Sequence, residues 1–106
     1  MDVFQLKIAL REISPMVWRR LKVAGNTDLG DLHIIIQLAM GWKDYHLHMF
    51  RIYAKEYGTY MPGGISFADN PKQVFLSDFC FRVGDRFEYE YDFTAGWVHD
   101  IRMKPY

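Results

Sequence analysis

A single cysteine, Cys80, occurs among the 106 residues, so no disulfide can close within the chain. Flanked by Phe79 and Phe81 in "DFCFRV", its thiol is expected to be buried and inert, which favours a reducing compartment. An excess of either charge is also missing, because thirteen Lys and Arg balance thirteen Asp and Glu. No long-range field draws the chain onto nucleic acid or an anionic membrane, and only a local basic patch can do so. No apolar run approaches the roughly 20 residues that span a bilayer, and "MDVFQLKI" lacks the basic and apolar parts of a secretion signal. The expected location is the cytoplasm, with no membrane partner. Linkers, repeats and low-complexity segments are lacking as well, so residues 1–106 read as one domain.

Aromatic residues are abundant, with eight Phe, seven Tyr and three Trp, and half the chain is apolar. That composition implies a packed core rather than disorder. "VFQLKIALR" alternates Phe4, Leu6, Ile8 and Leu10 with polar residues, the period of a strand with one buried face. Pro15 breaks it, and "MVWRRLKV" returns as a hairpin partner with Trp18, Arg20 and Lys22 on one face and Arg19 on the other. "TDLGDLHIIIQLAMGW" is the helix, capped by Thr27 or Asp28 and stopped by Gly41. Its inward stripe is expected to be Leu29, Leu32, Ile35, Ile36, Ala39 and Met40. Gly30, His33 and Gln37 form a narrow polar stripe, with Ile34 and Leu38 widening the apolar surface.

"HLHMFRIYA" reads as a third strand and "KEYGTY" as a short fourth. "MPGGISFADNPKQ" is a loop, and "LSDFCFRVGD" a short helix begun at Ser77 or Asp78, or alternatively a strand. "RFEYEYDFTAGWVHDIRM" is a terminal hairpin. With a three-residue turn at Thr94, Ala95 and Gly96, Phe93 faces Trp97, Tyr91 faces His99, Tyr89 faces Ile101 and Glu88 faces Arg102. The fold class is α+β: a mixed or antiparallel sheet with an N-terminal hairpin, one main helix, further strands and a C-terminal hairpin.

The blocks "SPMVWRRLKV", "TDLGDLHIIIQLAMGWKDYHLHMFRI", "VGDRFEYEYDF" and "GWVHDI" resemble the Ri-plasmid open-reading-frame-three-like family, also labelled resolvase-like, over nearly the whole chain. The resemblance implies a β-grasp-like arrangement and a mobile-element or phage context, with no settled biochemical activity. Thr94-Ala95 stands where the family usually has Gly-Asp, which removes a carboxylate beside Trp97. Many members also continue into a Cys- and Gly-containing tail, so the chain reads as a short or truncated member.

Three candidate sites emerge. On a strand, His46 and His48 project to one apolar face, and His99 lies on another; these three imidazoles, alone or with a carboxylate or His33 of the helix, suit a transition metal such as zinc, and with one position open a zinc-bound water suits hydrolysis. Histidines hydrogen-bonded within the core, by Tyr45, Tyr89 or Tyr91, are the favoured alternative. No cofactor is then expected. Glu88, Glu90, Asp92 and Asp100 form an acidic row, read as a solvated face balanced by Arg102 and Lys104. Trp18, Arg19 and Arg20, extended by Lys7, Lys22 and Arg11, can grip phosphates while the indole stacks on a base, although packing beneath arginine stems is favoured. Trp42, Tyr91, Asp92 and Trp97 complete the candidate binding residues. The leading functional expectation is a noncatalytic binding or interaction domain for a protein or nucleic-acid partner. The competing one is a metal-dependent hydrolase or nuclease.

Overall fold

The computed structural model describes residues 2–58 and 70–105. Six strands and one helix follow the order β1 (Val3–Leu10), β2 (Trp18–Ala24), α1 (Leu29–Met40), β3 (His48–Ile52), β4 (Lys55–Gly58), β5 (Arg86–Tyr91) and β6 (Trp97–Lys104). The strands make one sheet in the order β2-β1-β6-β5-β3-β4, and every pairing is antiparallel. The alternatives of a mixed or an antiparallel sheet are thereby resolved. The loop expected over "MPGGISFADNPKQ" lies outside the described residues up to position 69. Beyond it, the side chain of Asn70 accepts from the Lys72 amide and starts a 3-10 turn over Pro71–Gln73.

Alternation sends one set of side chains to each face, because successive residues of a strand point oppositely. Leu6, Ile8, Phe50, Ile52, Phe87, Tyr89, Ile101 and Met103 meet Leu29, Leu32 and Ile36 of the helix in one core. The opposite face carries Lys7, Arg20, Arg51, Glu88, Asp100 and Arg102 and, among the described residues, has no helix upon it. Each fully covered aliphatic or aromatic side chain contributes roughly 1.5–3 kcal/mol, so the covered face is what holds the sheet to the helix.

Local signals at the helix ends act as expected. Asp28 is the N-cap and accepts from the Asp31 amide, and Gly41 closes the other end at φ 77°, in the left-handed region that a side chain resists. The rotation of the helix is different. His33 and Gln37 are buried, whereas Ile34 and Leu38 are exposed, Leu38 by 79%. Polar partners waiting on β5 and after the helix outweigh the burial of two aliphatic side chains, and the stripe turns toward them.

Three further expectations are corrected. The final hairpin pairs Tyr91 with Trp97, Tyr89 with His99, Glu88 with Asp100 and Arg86 with Arg102. Its connection is therefore residues 92–96 rather than a three-residue turn, because Asp92 turns left-handed at φ 60° and Gly96 donates to the Asp92 carbonyl. The shift is by two residues, so the assignment of faces survives. "LSDF" is a 3-10 turn over Leu76–Phe79, begun ahead of both expected starts, Ser77 and Asp78, because the Asp78 carboxylate accepts from the Phe75 amide. Cys80 is exposed: its φ of 54° turns it outward while Phe79 and Phe81 stack on each other at 5.3 Å.

Candidate functional site

The end of the sheet beyond α1 concentrates the histidines and two of the three tryptophans. Gly41 ends the helix, and the Trp42 amide donates to the Gln37 carbonyl. The segment then folds back over β5, where the Tyr91 hydroxyl accepts from the amides of Tyr45 and His46 at 2.8 and 3.2 Å. Asp44 sits left-handed at φ 56° and so directs its carboxylate toward the helix.

Beneath this segment lies a closed circuit of hydrogen bonds. The Asp44 carboxylate can only accept, so the His33 Nε2–H donates to it at 2.8 Å. His33 Nδ1 then accepts from the Tyr89 hydroxyl at 2.7 Å, and that oxygen accepts from Gln37 Nε2 at 2.8 Å. The Gln37 carbonyl oxygen accepts from the Asp44 amide at 2.8 Å, which closes the ring. Each group donates once and accepts once in a single direction around the circuit. Carboxylate, imidazole and hydroxyl in series have the order of a nucleophilic triad, yet Tyr89 is fully buried and its hydroxyl is held from both sides. The arrangement locks helix to sheet.

Burial disfavours charge on the imidazoles in and around this network. Burial pulls the His33 imidazole below its usual range in spite of Asp44. His48 stacks on His33 at 3.4 Å, with the planes 6° apart. Burial first, and the neighbouring imidazole second, push His48 down to about 3. His99 is also lowered by burial. Its Nδ1–H donates to the Tyr89 carbonyl at 3.1 Å and its Nε2 accepts from the Trp42 indole at 3.3 Å, so both ring nitrogens are engaged.

The candidate residues separate into three places. Trp42, Tyr91, Asp92 and Trp97 converge on one hollow of about 260 Å³, joined by Lys43 and His46. Trp42 packs against Trp97 at 5.9 Å and Tyr91 at 5.4 Å. His46 precedes β3 instead of lying within it, so it is exposed rather than on the apolar face, with Nε2 3.6 Å from Asp92. His48 and His99 are inside, among the partners just described. Among the described residues, no three His, Cys, Asp or Glu side chains are gathered as a metal site.

Trp18 and Arg20 lie on the open face, where the Lys7 ammonium and the Arg20 guanidinium stand 5.2 and 5.7 Å from the indole centroid. Arg19 points the other way. Its Nε donates to the Ala39 carbonyl at 3.0 Å, and its Nη1 to the Trp18 carbonyl. It thus supplies the cation that the last turn of the helix lacks. Arg19→Ala is expected to cost about 1 kcal/mol in urea unfolding, a modest figure because the side chain is exposed. No loss, or a loss confined to ligand binding, would remove Arg19 from this structural role.

Sequence reasoning missed Asp44, gave Gln37 only a place on a polar stripe, and offered His33 as a further metal ligand rather than as the hydrogen-bond partner of Tyr89. The available signal was that stripe itself, two hydrogen-bonding side chains four residues apart on an otherwise apolar helix.

Fold and site together define an α+β domain in which one helix is keyed to an antiparallel sheet through a histidine and tyrosine network. The chain belongs to the family described as plasmid pRiA4b ORF-3-like protein, which matches residues 2–105. It is 35% identical to the uncharacterized protein y4hQ of Sinorhizobium fredii, over 97% of this chain and 54% of that protein. A protein of unknown function from Methanosarcina mazei Go1, MM3350, has a crystal structure that matches with a TM-score of 0.82 at 33% identity, over 97% of this chain and 59% of the other. The chain therefore spans little more than half the length of these relatives.

Proposed function

We propose that the domain is a noncatalytic binding module, encoded in a mobile-element or phage context, whose recognition site is the hollow between Trp42, Tyr91 and Trp97. The observation that carries this reading is the contrast between the hollow and the network behind it. The buried histidines are neutral and spend their ring nitrogens or faces on neighbouring residues, while the two half-buried indoles form an apolar concavity at the surface. Such a site takes an apolar side chain of a protein partner, with Lys43 at its rim to meet a carboxylate. A larger hollow of about 530 Å³ lies on the open face of the sheet, but ion pairs from Arg11 and Arg51 form much of its wall. Its lining is more polar than apolar, whereas the lining of the hollow beside Trp42 is mostly apolar. The family description supports the mobile-element context.

Selection of a random peptide library on the purified protein is expected to enrich peptides with a bulky apolar residue. Trp97→Ala should weaken their binding at least tenfold while leaving the thermal midpoint within a few degrees. Failure to enrich any sequence, or binding indifferent to Trp97, overturns the reading. The competing hydrolase requires His46, His48 and His99 to share a metal, and His99 would first have to give up its bond to Trp42. A zinc-dependent rise in thermal midpoint that His48→Gln abolishes would favour the hydrolase instead.

A further inference from the structure

The acidic row on the open face has different partners from those expected. Glu88 accepts from both Arg11 and Arg51, Asp100 accepts from Arg11, and Glu90 accepts from Arg51. Hydrogen bonds from Arg11 and then Arg51 hold the Glu88 carboxyl below its usual range. Arg102 and Lys104 are therefore left over. Pairing register places Arg20 opposite Lys7, Lys7 opposite Arg102, and Arg102 opposite Arg86. Four cations from four adjacent strands stand in one transverse row.

At the usual strand spacing that row is about 14 Å long. Lys104 is two residues beyond Arg102 on the same face, and with Lys7, Arg86, Arg102 and the Arg11-bound Asp100 it lines a shallow hollow of about 260 Å³. Among the described residues, no carboxylate oxygen comes within ion-pair distance of Lys7, Arg20, Arg86, Arg102 or Lys104. Directly opposed like charges on neighbouring strands destabilise a sheet. Arg11 and Arg51 engage the acids one row away, Asp100 among them at the edge of the hollow, and this row of cations is left without an ion pair among the described residues. Trp18, 42% exposed, closes one end beside Lys7 and Arg20.

We propose that the open face of the sheet binds single-stranded nucleic acid, with Lys7, Arg20, Arg86 and Arg102 on successive phosphates and a base stacked on Trp18. The row follows a flexible polyanion across the strands, and guanidinium groups suit phosphate oxygens. The exposed indole distinguishes a nucleic acid from other polyanions, because only the former brings a π-face with its charge. The zero net charge of the chain confines the attraction to the patch, since fields beyond about 10 Å are screened at 0.1 M salt. This surface is separate from the aromatic hollow, and the two proposals stand or fall independently.

The test is fluorescence anisotropy with a labelled 12-nucleotide oligothymidine. Neutralising four phosphates should raise Kd about 50-fold between 50 and 200 mM NaCl, from a single-strand slope of about −0.7 per phosphate. Arg20→Ala, Arg86→Ala and Arg102→Ala should each weaken binding and flatten the slope by about 0.7. Trp18→Ala should cost on the order of tenfold and Trp18→Phe should restore most of it. Lys72→Ala, away from this face, should change nothing. Binding weaker than millimolar at 50 mM salt overturns the proposal, as does indifference to the arginine substitutions. Equal competition by polyglutamate of matched charge, with no effect of Trp18→Ala, would make the surface a dock for acidic protein and would equally overturn it.

Discussion

Tyr89→Phe is expected to lower the unfolding free energy by about 3 kcal/mol, although only one oxygen is removed. The hydroxyl donates to His33 Nδ1 and accepts from Gln37 Nε2, and both partners are buried. Its loss leaves an acceptor and a donor without water or protein to satisfy them, at roughly 1–3 kcal/mol each. Leu29, Leu32 and Ile36 keep their packing, so the denaturant slope in urea should be unchanged while the midpoint falls. Combining Tyr89→Phe with Gln37→Leu should recover part of the loss, because two matched apolar groups no longer demand a bond. A double-mutant cycle measures that coupling directly. A loss below about 1 kcal/mol, with no coupling, would mean that the circuit is not what keys the helix to the sheet.

Mild acid should destabilise the domain well above the range in which carboxylates titrate. His48 is pushed down to about 3 in the folded protein, by burial first and by His33 second. The unfolded imidazole titrates near 6.5, so below that pH the unfolded state binds the extra proton and stability rises with pH. Full stability is present above about pH 6.5 and is lost progressively as the pH falls from there toward 3. By pH 5 His48 alone withdraws about 2 kcal/mol, at 1.36 kcal/mol for each pH unit below 6.5. His33 and His99, also lowered by burial, add to the loss in the same direction.

Glu88 is held low by Arg11 and Arg51, so its contribution is present above the ordinary carboxylate range and is lost only below it. The interval from pH 6.5 to 5 therefore reports the imidazoles alone. Urea unfolding at half-unit steps from pH 7.5 to 5.0 should show this decline, and His48→Phe should make it shallower. A flat profile across the interval would mean that the imidazoles take up protons in the folded state as readily as in the unfolded one.

The face assignments were legible because they depend on parity. Glu88 and Glu90 were placed opposite to Tyr89 and Tyr91 from alternation alone, and a register shifted by two residues left that placement intact. Trp42, Tyr91, Asp92 and Trp97 were each singled out in the sequence, but their convergence was not. It depends on left-handed turns at Gly41 and Asp92 that bring the segment after the helix against the end of the last hairpin. His46 shows the limit in one residue: a His-x-His spacing places two rings on one face only if the strand begins at the first, and it begins at the second.

Interactions that reach no farther than a turn or a neighbouring residue were settled by the amino-acid order itself: a helix cap at Thr27 or Asp28, the Gly41 stop, the alternation of strands and the antiparallel hairpins; family membership was legible there too. Tertiary structure alone decided which side of the helix is covered and which acids meet which arginines. Ile34 and Leu38 look like core by period, yet Tyr89, 56 positions from His33, draws the polar stripe inward. The hairpin register sets Arg102 opposite Arg86 instead of Glu88, and Arg11 reaches Glu88 from 77 positions away. Periodicity constrains a residue's direction relative to its neighbours, whereas the free energy of a buried hydrogen bond or an ion pair depends on which distant group the finished sheet sets opposite it.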